Sequence, residues 1–105
     1  MDFIMMLTRS DRTIEDGDTL VDDIIAMGVR HIGFKDVGLP LDALAGLARR
    51  IREAGASAYI EVVSLDRESE LRSVRAAVAL GVDYLLGGTR ARDVLPLLEG
   101  TEIRY

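Results

Sequence analysis

A glycine-rich turn near the end of the chain is the clearest candidate for chemistry. Leu86-Gly87-Gly88-Thr89-Arg90 runs from an apolar segment into a predicted helix. Glycine lets a ligand approach the backbone closely, and the first N–H groups of a helix carry partial positive charge. The turn therefore predicts a phosphate site formed by Gly87, Gly88, Thr89 and Arg90. The alternative interpretation is a tight strand-to-helix turn with Thr89 as the helix N-cap.

Two further segments carry groups that can move protons. The run 33–38 places Lys35 and Asp36 at the end of an apolar segment, and Glu61 stands inside another. A lysine and two carboxylates that lie close together can act as acid, base or electrostatic groups. The alternative is a structural Lys35–Glu61 ion pair. Such a pair argues against Schiff-base chemistry, because a paired lysine keeps its charge.

The remaining polar candidates are weaker. Asp11, within the polar run 8–13, is a possible general acid or base, although such a run is more often a solvated loop. His31 begins a predicted strand, whereas Lys35 and Asp36 lie at its other end, so we interpret His31 as structural. With one histidine and no cysteine, neither a histidine cluster nor a thiolate site is possible. The sequence therefore predicts no metal, and it indicates no cofactor.

Repeated strand-then-helix units position these groups. Glycines follow three predicted helices, at Gly28, Gly55 and Gly81, and are spaced 27 and 26 residues apart. This period fits one helix, one strand and two short loops. The predicted strands are 3–7, 31–35, 59–63 and 84–86. The last predicted helix spans 91–98, where Pro96 is expected to shorten or kink it.

Alternating units joined by short loops predict an α/β fold with a parallel sheet. We expect one domain over residues 1–105, a parallel (βα)4 half-barrel with the start of a fifth strand at Ile103-Arg104-Tyr105. A barrel is favoured over an open sheet for two reasons. The helices share one amphipathic pattern, and Glu61 lies mid-strand, where a lumen tolerates a charge that has a partner.

Alternation along the strands predicts which side chains face the lumen. Glu61 and Lys35 should meet there on neighbouring strands, and the apolar side chains expected beside them are those of Met5, Leu7, Tyr59 and Val63. A half-barrel has unpaired strand edges that must be covered. We therefore expect a homodimer with two-fold symmetry that imitates an eight-stranded barrel. An open flavodoxin-like sheet would instead give a monomer.

The strand–Gly–Gly–Thr–x–Ala pattern, with Asp93 shortly after it, resembles the phosphate-binding (βα)8 barrels. The likeness is to the first half of the isomerase and cyclase of histidine biosynthesis, and Gly88, Thr89 and Ala91 carry it. The resemblance implies one phosphate site per half-barrel and a catalytic aspartate on the first strand, whereas Asp11 comes after the first strand. Gly-Phe-Lys-Asp is also similar to the lysine strand of Schiff-base lyases, where the lysine lies in the second half of the barrel.

The leading functional hypothesis is half of a barrel enzyme, a lyase or isomerase, acting on a phosphorylated metabolite. The alternatives are a non-catalytic half-barrel that self-assembles and a receiver-like signalling domain. A formal charge of -5 without charge blocks argues against nucleic-acid and membrane partners, and the lack of cysteine fits the cytoplasm. No helix follows the predicted fifth strand, so we expect either a fragment of a longer protein or two copies that complete each other.

Overall fold

A parallel sheet forms the centre of the structure. The computed structural model describes residues 3–10 and 12–105. Four strands pair in the sheet in the spatial order β1 (Met5–Met6), β4 (His31–Lys35), β5 (Ser57–Val62) and β6 (Tyr84–Gly87). A separate antiparallel hairpin joins β2 (Thr8–Arg9) to β3 (Arg12–Thr13). The strands of the sheet follow each other in chain order, as sequential βα units require.

The helices form one layer on one face of this sheet. Those in the described residues are α1 (Gly17–Ala26), α2 (Leu41–Glu53), α3 (Arg67–Leu80) and α4 (Ala91–Leu98). Each helix contacts the next one along the chain. Their apolar stripes share a single core with the strand residues Ile32, Phe34, Ala58, Ile60, Val62 and Leu85. The predicted α/β fold with a parallel sheet is confirmed, and the arrangement is consistent with half of a barrel.

The opposite face of the sheet carries the side chains that would line a barrel lumen. Side chains alternate between faces along a strand, and residues that pair in register share a face. We call the face opposite the helix layer the inner face, and its members are Met6, His31, Lys35, Tyr59, Glu61, Tyr84 and Leu86. The predicted inward positions of Lys35, Tyr59 and Glu61 therefore agree with the observed register.

Several local predictions are confirmed. The three glycines after α1, α2 and α3 all have positive φ, at 90°, 89° and 72°. The fourth helix has its predicted bounds, but the expectation that Pro96 shortens it was wrong, since the helix continues to Leu98. The start of a fifth strand is present as a parallel bridge between Tyr84 and Arg104, in which the Leu85 N–H donates to the Arg104 carbonyl at 2.8 Å.

The expected inward positions of Met5 and Leu7 were wrong. Met5 and Leu7 do not face inward, because Met5 pairs with Ile32, whose side chain faces the helix layer. Leu7 is in the core, and Met6 covers Gly33 on the inner face instead. Within the polar run 8–13, β2 and β3 pair, and Arg9, Ser10 and Arg12 are exposed to solvent.

Among the described residues, no helix combines the length and the apolar character needed to cross a membrane.

Candidate functional site

Lys35 and Glu61 meet at the carboxyl end of the sheet. They are partners in register on β4 and β5, and Lys35 Nζ lies 3.8 Å from Glu61 Oε2. The Lys35 side chain is 13% exposed and that of Glu61 is 36% exposed, so the pair is partly shielded but reachable from solvent. The predicted ion pair is therefore present on the inner face, at the end of the strands where barrel enzymes place their chemistry.

The β2–β3 hairpin fixes the strand end that carries Lys35. The buried Thr13 hydroxyl donates to the Lys35 carbonyl at 2.8 Å and accepts from the Lys35 N–H at 2.9 Å. The Thr13 N–H donates to the Val37 carbonyl at 2.9 Å. These bonds satisfy the backbone of Lys35 as β4 ends, and they hold the lysine in place without using its side chain.

Asp36 points away from Lys35, toward the helix layer. Its carboxylate accepts from the Ser73 hydroxyl of α3 at 2.5 Å, from the Ser64 hydroxyl at 3.3 Å and from the Val63 N–H at 3.3 Å. Successive residues of a strand point to opposite sides, which explains why Lys35 and Asp36 separate. Asp36 therefore ties the end of β4 to the β5–α3 loop and to α3.

The turn from β6 to α4 needs glycine at two positions. Gly87 and Gly88 have φ of 81° and 80°. A Cβ atom on Gly87 would lie 2.5 Å from the Val62 carbonyl oxygen, and one on Gly88 would lie 2.7 Å from Glu70 Oε2. The turn thus runs close against β5 on one side and against a carboxylate of α3 on the other.

Glu70 occupies the centre of the turn predicted to bind phosphate. This side chain is 1% exposed. Its two oxygens accept from the Thr89 N–H at 3.2 Å, its Oε2 accepts from the Arg90 N–H at 3.1 Å, and its Oε1 accepts from Arg90 Nη1 at 3.1 Å. The predicted donors are therefore gathered around an anion, and that anion belongs to the chain itself.

The hydrogen bonds keep this buried carboxylate ionised. Burial alone would raise the pKa of Glu70. The Thr89 and Arg90 N–H groups and the Arg90 guanidinium outweigh burial and lower the pKa below its ordinary value of 4.5. Nearby, the Tyr105 hydroxyl donates to the Gly87 carbonyl at 3.1 Å. Burial, and after it the charge of Glu70, raise the pKa of Tyr105.

The Lys35–Glu61 pair adjoins the turn at residues 87–90. A Cβ atom on Gly87 would lie 3.5 Å from Glu61 Cγ, so Glu61 stands between Lys35 and the turn. Gly87, Gly88, Thr89 and Arg90 follow one another in the turn. Asp36 is turned toward α3, and Asp11 lies outside the described residues. The N-cap of α4 is Arg90, whose own side chain makes no capping bond, so Thr89 is not the N-cap.

Sequence reasoning missed Glu70 and Ser73. A signal for Glu70 was available, because it stands four residues before Val74 and seven before Ala77, on the apolar stripe of α3. A charge on a buried stripe requires a partner. Ser73 gave no comparable signal, since a serine beside an apolar stripe is common on helices.

At the other end of the inner face, the aromatic side chains contact one another. The Tyr59 hydroxyl and His31 Nδ1 are 2.9 Å apart, and the rings of Tyr59 and Tyr84 stack at a centroid distance of 4.4 Å. His31 thus lies at the strand end opposite Lys35. Within the described part of the chain, no group of three or more histidine and carboxylate side chains is arranged to hold a metal ion.

No protein-family model, curated protein or solved structure matches this chain.

Proposed function

We propose that the chain is half of a (βα)8-type enzyme that acts on a phosphorylated small metabolite, as a lyase or an isomerase. The observation that carries this proposal is the Lys35–Glu61 pair on the inner face at the carboxyl ends of the strands. A carboxylate beside an ammonium group can accept a proton from a substrate, while the ammonium stabilises the negative charge that develops. In this proposal Glu61 is the base and Lys35 is the electrostatic or general-acid group.

The phosphate group of the substrate would bind at the adjoining turn. The Thr89 and Arg90 N–H groups and the Arg90 guanidinium already hold a carboxylate, which supports an affinity for oxyanions. Gly87 and Gly88 keep the backbone close to that anion. Because Glu61 lies beside Gly87, a small metabolite with its phosphate at the turn would bring its reacting carbon near Lys35 and Glu61.

Asp36 and Asp11 have supporting roles in this proposal. Asp36 accepts three hydrogen bonds from residues 63, 64 and 73, so its contribution is to hold the loop after β5 rather than to transfer protons. Asp11 is retained as a candidate acid or base. No cofactor enters the proposed reaction, and the absence of cysteine fits a reducing cytoplasm.

The test is a titration of the protein with phosphosugars of three to five carbons, followed by backbone amide shifts. The proposal expects changes at residues 35 and 61 with the phosphosugar, and weaker changes there with the sugar that lacks phosphate. Lys35→Met should reduce the affinity about tenfold or more, the loss of a charge-assisted contact. Arg50→Met, which removes a cation on the helix layer, is the matched control. Binding that does not depend on Lys35 would contradict the proposal.

A second candidate is a non-catalytic half-barrel that assembles with a second copy. Two observations favour it. The described carboxylates of the site, those of Asp36, Glu61 and Glu70, are already engaged within the chain. Tyr84 and Leu86 remain partly exposed on the inner face, where a second sheet can cover them. Under this candidate the chain forms a homodimer, and no phosphosugar is converted even at saturating concentration.

A further inference from the structure

We infer that Glu70 is the resident anion of the turn at residues 87–90, so that an external oxyanion binds there only by displacing the Glu70 carboxylate. This inference deepens the proposed function by describing how its phosphate site is occupied when no substrate is bound.

The geometry distinguishes this contact from an ordinary surface ion pair. Glu70 comes from the first turn of α3, and its carboxylate reaches across to the start of α4. It is 1% exposed, and three N–H donors from two consecutive residues converge on it. Two backbone N–H groups and a guanidinium are a set of donors that suits a phosphate group.

Space and charge both exclude a second anion while Glu70 is in place. Glu70 Oε2 lies 2.7 Å from the position of a Cβ atom on Gly88, so the carboxylate is packed against the turn. Another negative charge at the same donors would be repelled across a distance of a few ångströms in a poorly hydrated region, which is strongly unfavourable. The residues that carry these donors nevertheless reach solvent, since Thr89 is exposed and the Arg90 side chain is 31% exposed.

The experiment removes the resident carboxylate and supplies an anion from solution. Glu70→Ala is titrated with sodium phosphate and with sodium formate, with sodium chloride at matched ionic strength as the salt control. Thermal unfolding and the amide shifts of Thr89 and Arg90 are followed. We expect phosphate or formate, but not chloride, to shift both amide signals and to raise the Tm by about 4 °C or more. The Tm rises because an anion that binds the folded state and not the unfolded state stabilises the fold.

Two controls keep the result interpretable. Glu68→Ala removes an exposed carboxylate two residues away on the same helix and should show no specific phosphate response. The wild-type protein should respond at Thr89 only at phosphate concentrations about tenfold or more above those effective for Glu70→Ala. Glu70→Ser, which is small and polar, provides a second variant if Glu70→Ala folds poorly.

Three results would overturn the inference. The first is equal phosphate response in wild type and Glu70→Ala, and the second is a response of Glu70→Ala that chloride reproduces. The third is that both Glu70 variants remain unfolded at every anion concentration, because an anion that replaces the carboxylate must restore folding. These results are separate from the test of the proposed function. A protein can bind phosphosugar through Lys35 while Glu70→Ala ignores phosphate, and the converse outcome is equally observable.

Discussion

Single side chains in this protein show how charge is placed within a mostly apolar framework. Glu70 is ionised although it is buried, because the N–H groups of Thr89 and Arg90 replace the water that it loses. Lys35 and Glu61 use a different arrangement, in which each partner keeps some contact with solvent. The first arrangement is lost only when acid protonates Glu70, whose pKa is lowered, and the second depends on both partners being present.

Stability should fall in acid partly through Glu70. Its pKa is lowered in the folded state, so its contribution is complete above the unfolded pKa near 4.5 and is lost as the pH falls through the folded pKa. We expect the difference in urea midpoint between wild type and Glu70→Gln to be constant from pH 7 to about pH 5 and to shrink at lower pH. Both proteins carry the other carboxylates, so the contributions of these groups to the pH dependence cancel in the difference. A difference that grows on acidification would contradict the sign of this pKa shift.

The Lys35–Glu61 pair should have a measurable coupling energy. Exposed pairs contribute about 0–1 kcal/mol, and breaking a fully buried pair costs about 3–5 kcal/mol. Because the two side chains are 13% and 36% exposed, we expect Lys35→Met to cost about 1–2 kcal/mol. A double-mutant cycle with Glu61→Gln measures the coupling by urea unfolding. The exposed Glu68–Arg72 pair of α3 is the control and should couple by at most about 0.5 kcal/mol.

Residue-level prediction succeeded where it rested on local periodicity. The two-residue repeat of strands was enough to place Lys35 opposite Glu61 on one face. It failed for Met5 and Leu7, because the register of β1 depends on its pairing with β4 and not on the sequence of β1. Glu70 was missed because its partners are 19 and 20 residues away, and local pattern does not reveal which turn a buried charge will reach.

At the level of elements, the turn between β6 and α4 is the most constrained segment near the site. Its glycines were recognised from the sequence. The helices and the parallel order of the strands were also predicted, because they follow from the spacing of apolar residues and from the length of the loops. The β2–β3 hairpin was not predicted. Its polar residues show no strand alternation, and it is held by backbone and side-chain bonds from Thr13 to the end of β4.

The two kinds of positive-φ glycine should respond differently to alanine. Gly28 has φ of 90° and nothing within 4 Å of an added Cβ atom, so Gly28→Ala should cost only the left-handed strain of about 1–2 kcal/mol. Gly87→Ala adds a clash with the Val62 carbonyl oxygen at 2.5 Å, and we expect about 3 kcal/mol or more in total. Chemical denaturation of both variants checks the difference. Equal losses would mean that the turn does not approach β5 as closely as described.

The whole molecule raises the question of what covers its inner face. The helix layer covers one face of the sheet, and the helices and strands share one apolar core there. On the inner face, Tyr59 is well packed by its neighbours, whereas Tyr84 and Leu86 remain partly exposed. Among the described residues, no further strand pairs with the outer edge of β1 or beyond the Arg104 bridge, and an unpaired sheet edge can accept another strand. A second half-barrel would cover both the face and the edges.

A second copy of the chain is the simplest partner to cover the inner face and the sheet edges. Two-fold symmetry brings the same surface of each copy together and closes the assembly. We therefore predict a dimer in solution, and we predict that Leu86→Lys disrupts it by placing a charge at the apolar contact. Leu95→Lys is the matched control, since Leu95 is exposed on α4 at 52% and lies outside the inner face. Light scattering coupled to size exclusion, run across a dilution series, should give a dimer for wild type and the control and a smaller species for Leu86→Lys. A monodisperse wild-type monomer at every concentration would contradict the dimer and leave the inner face to be covered by other means.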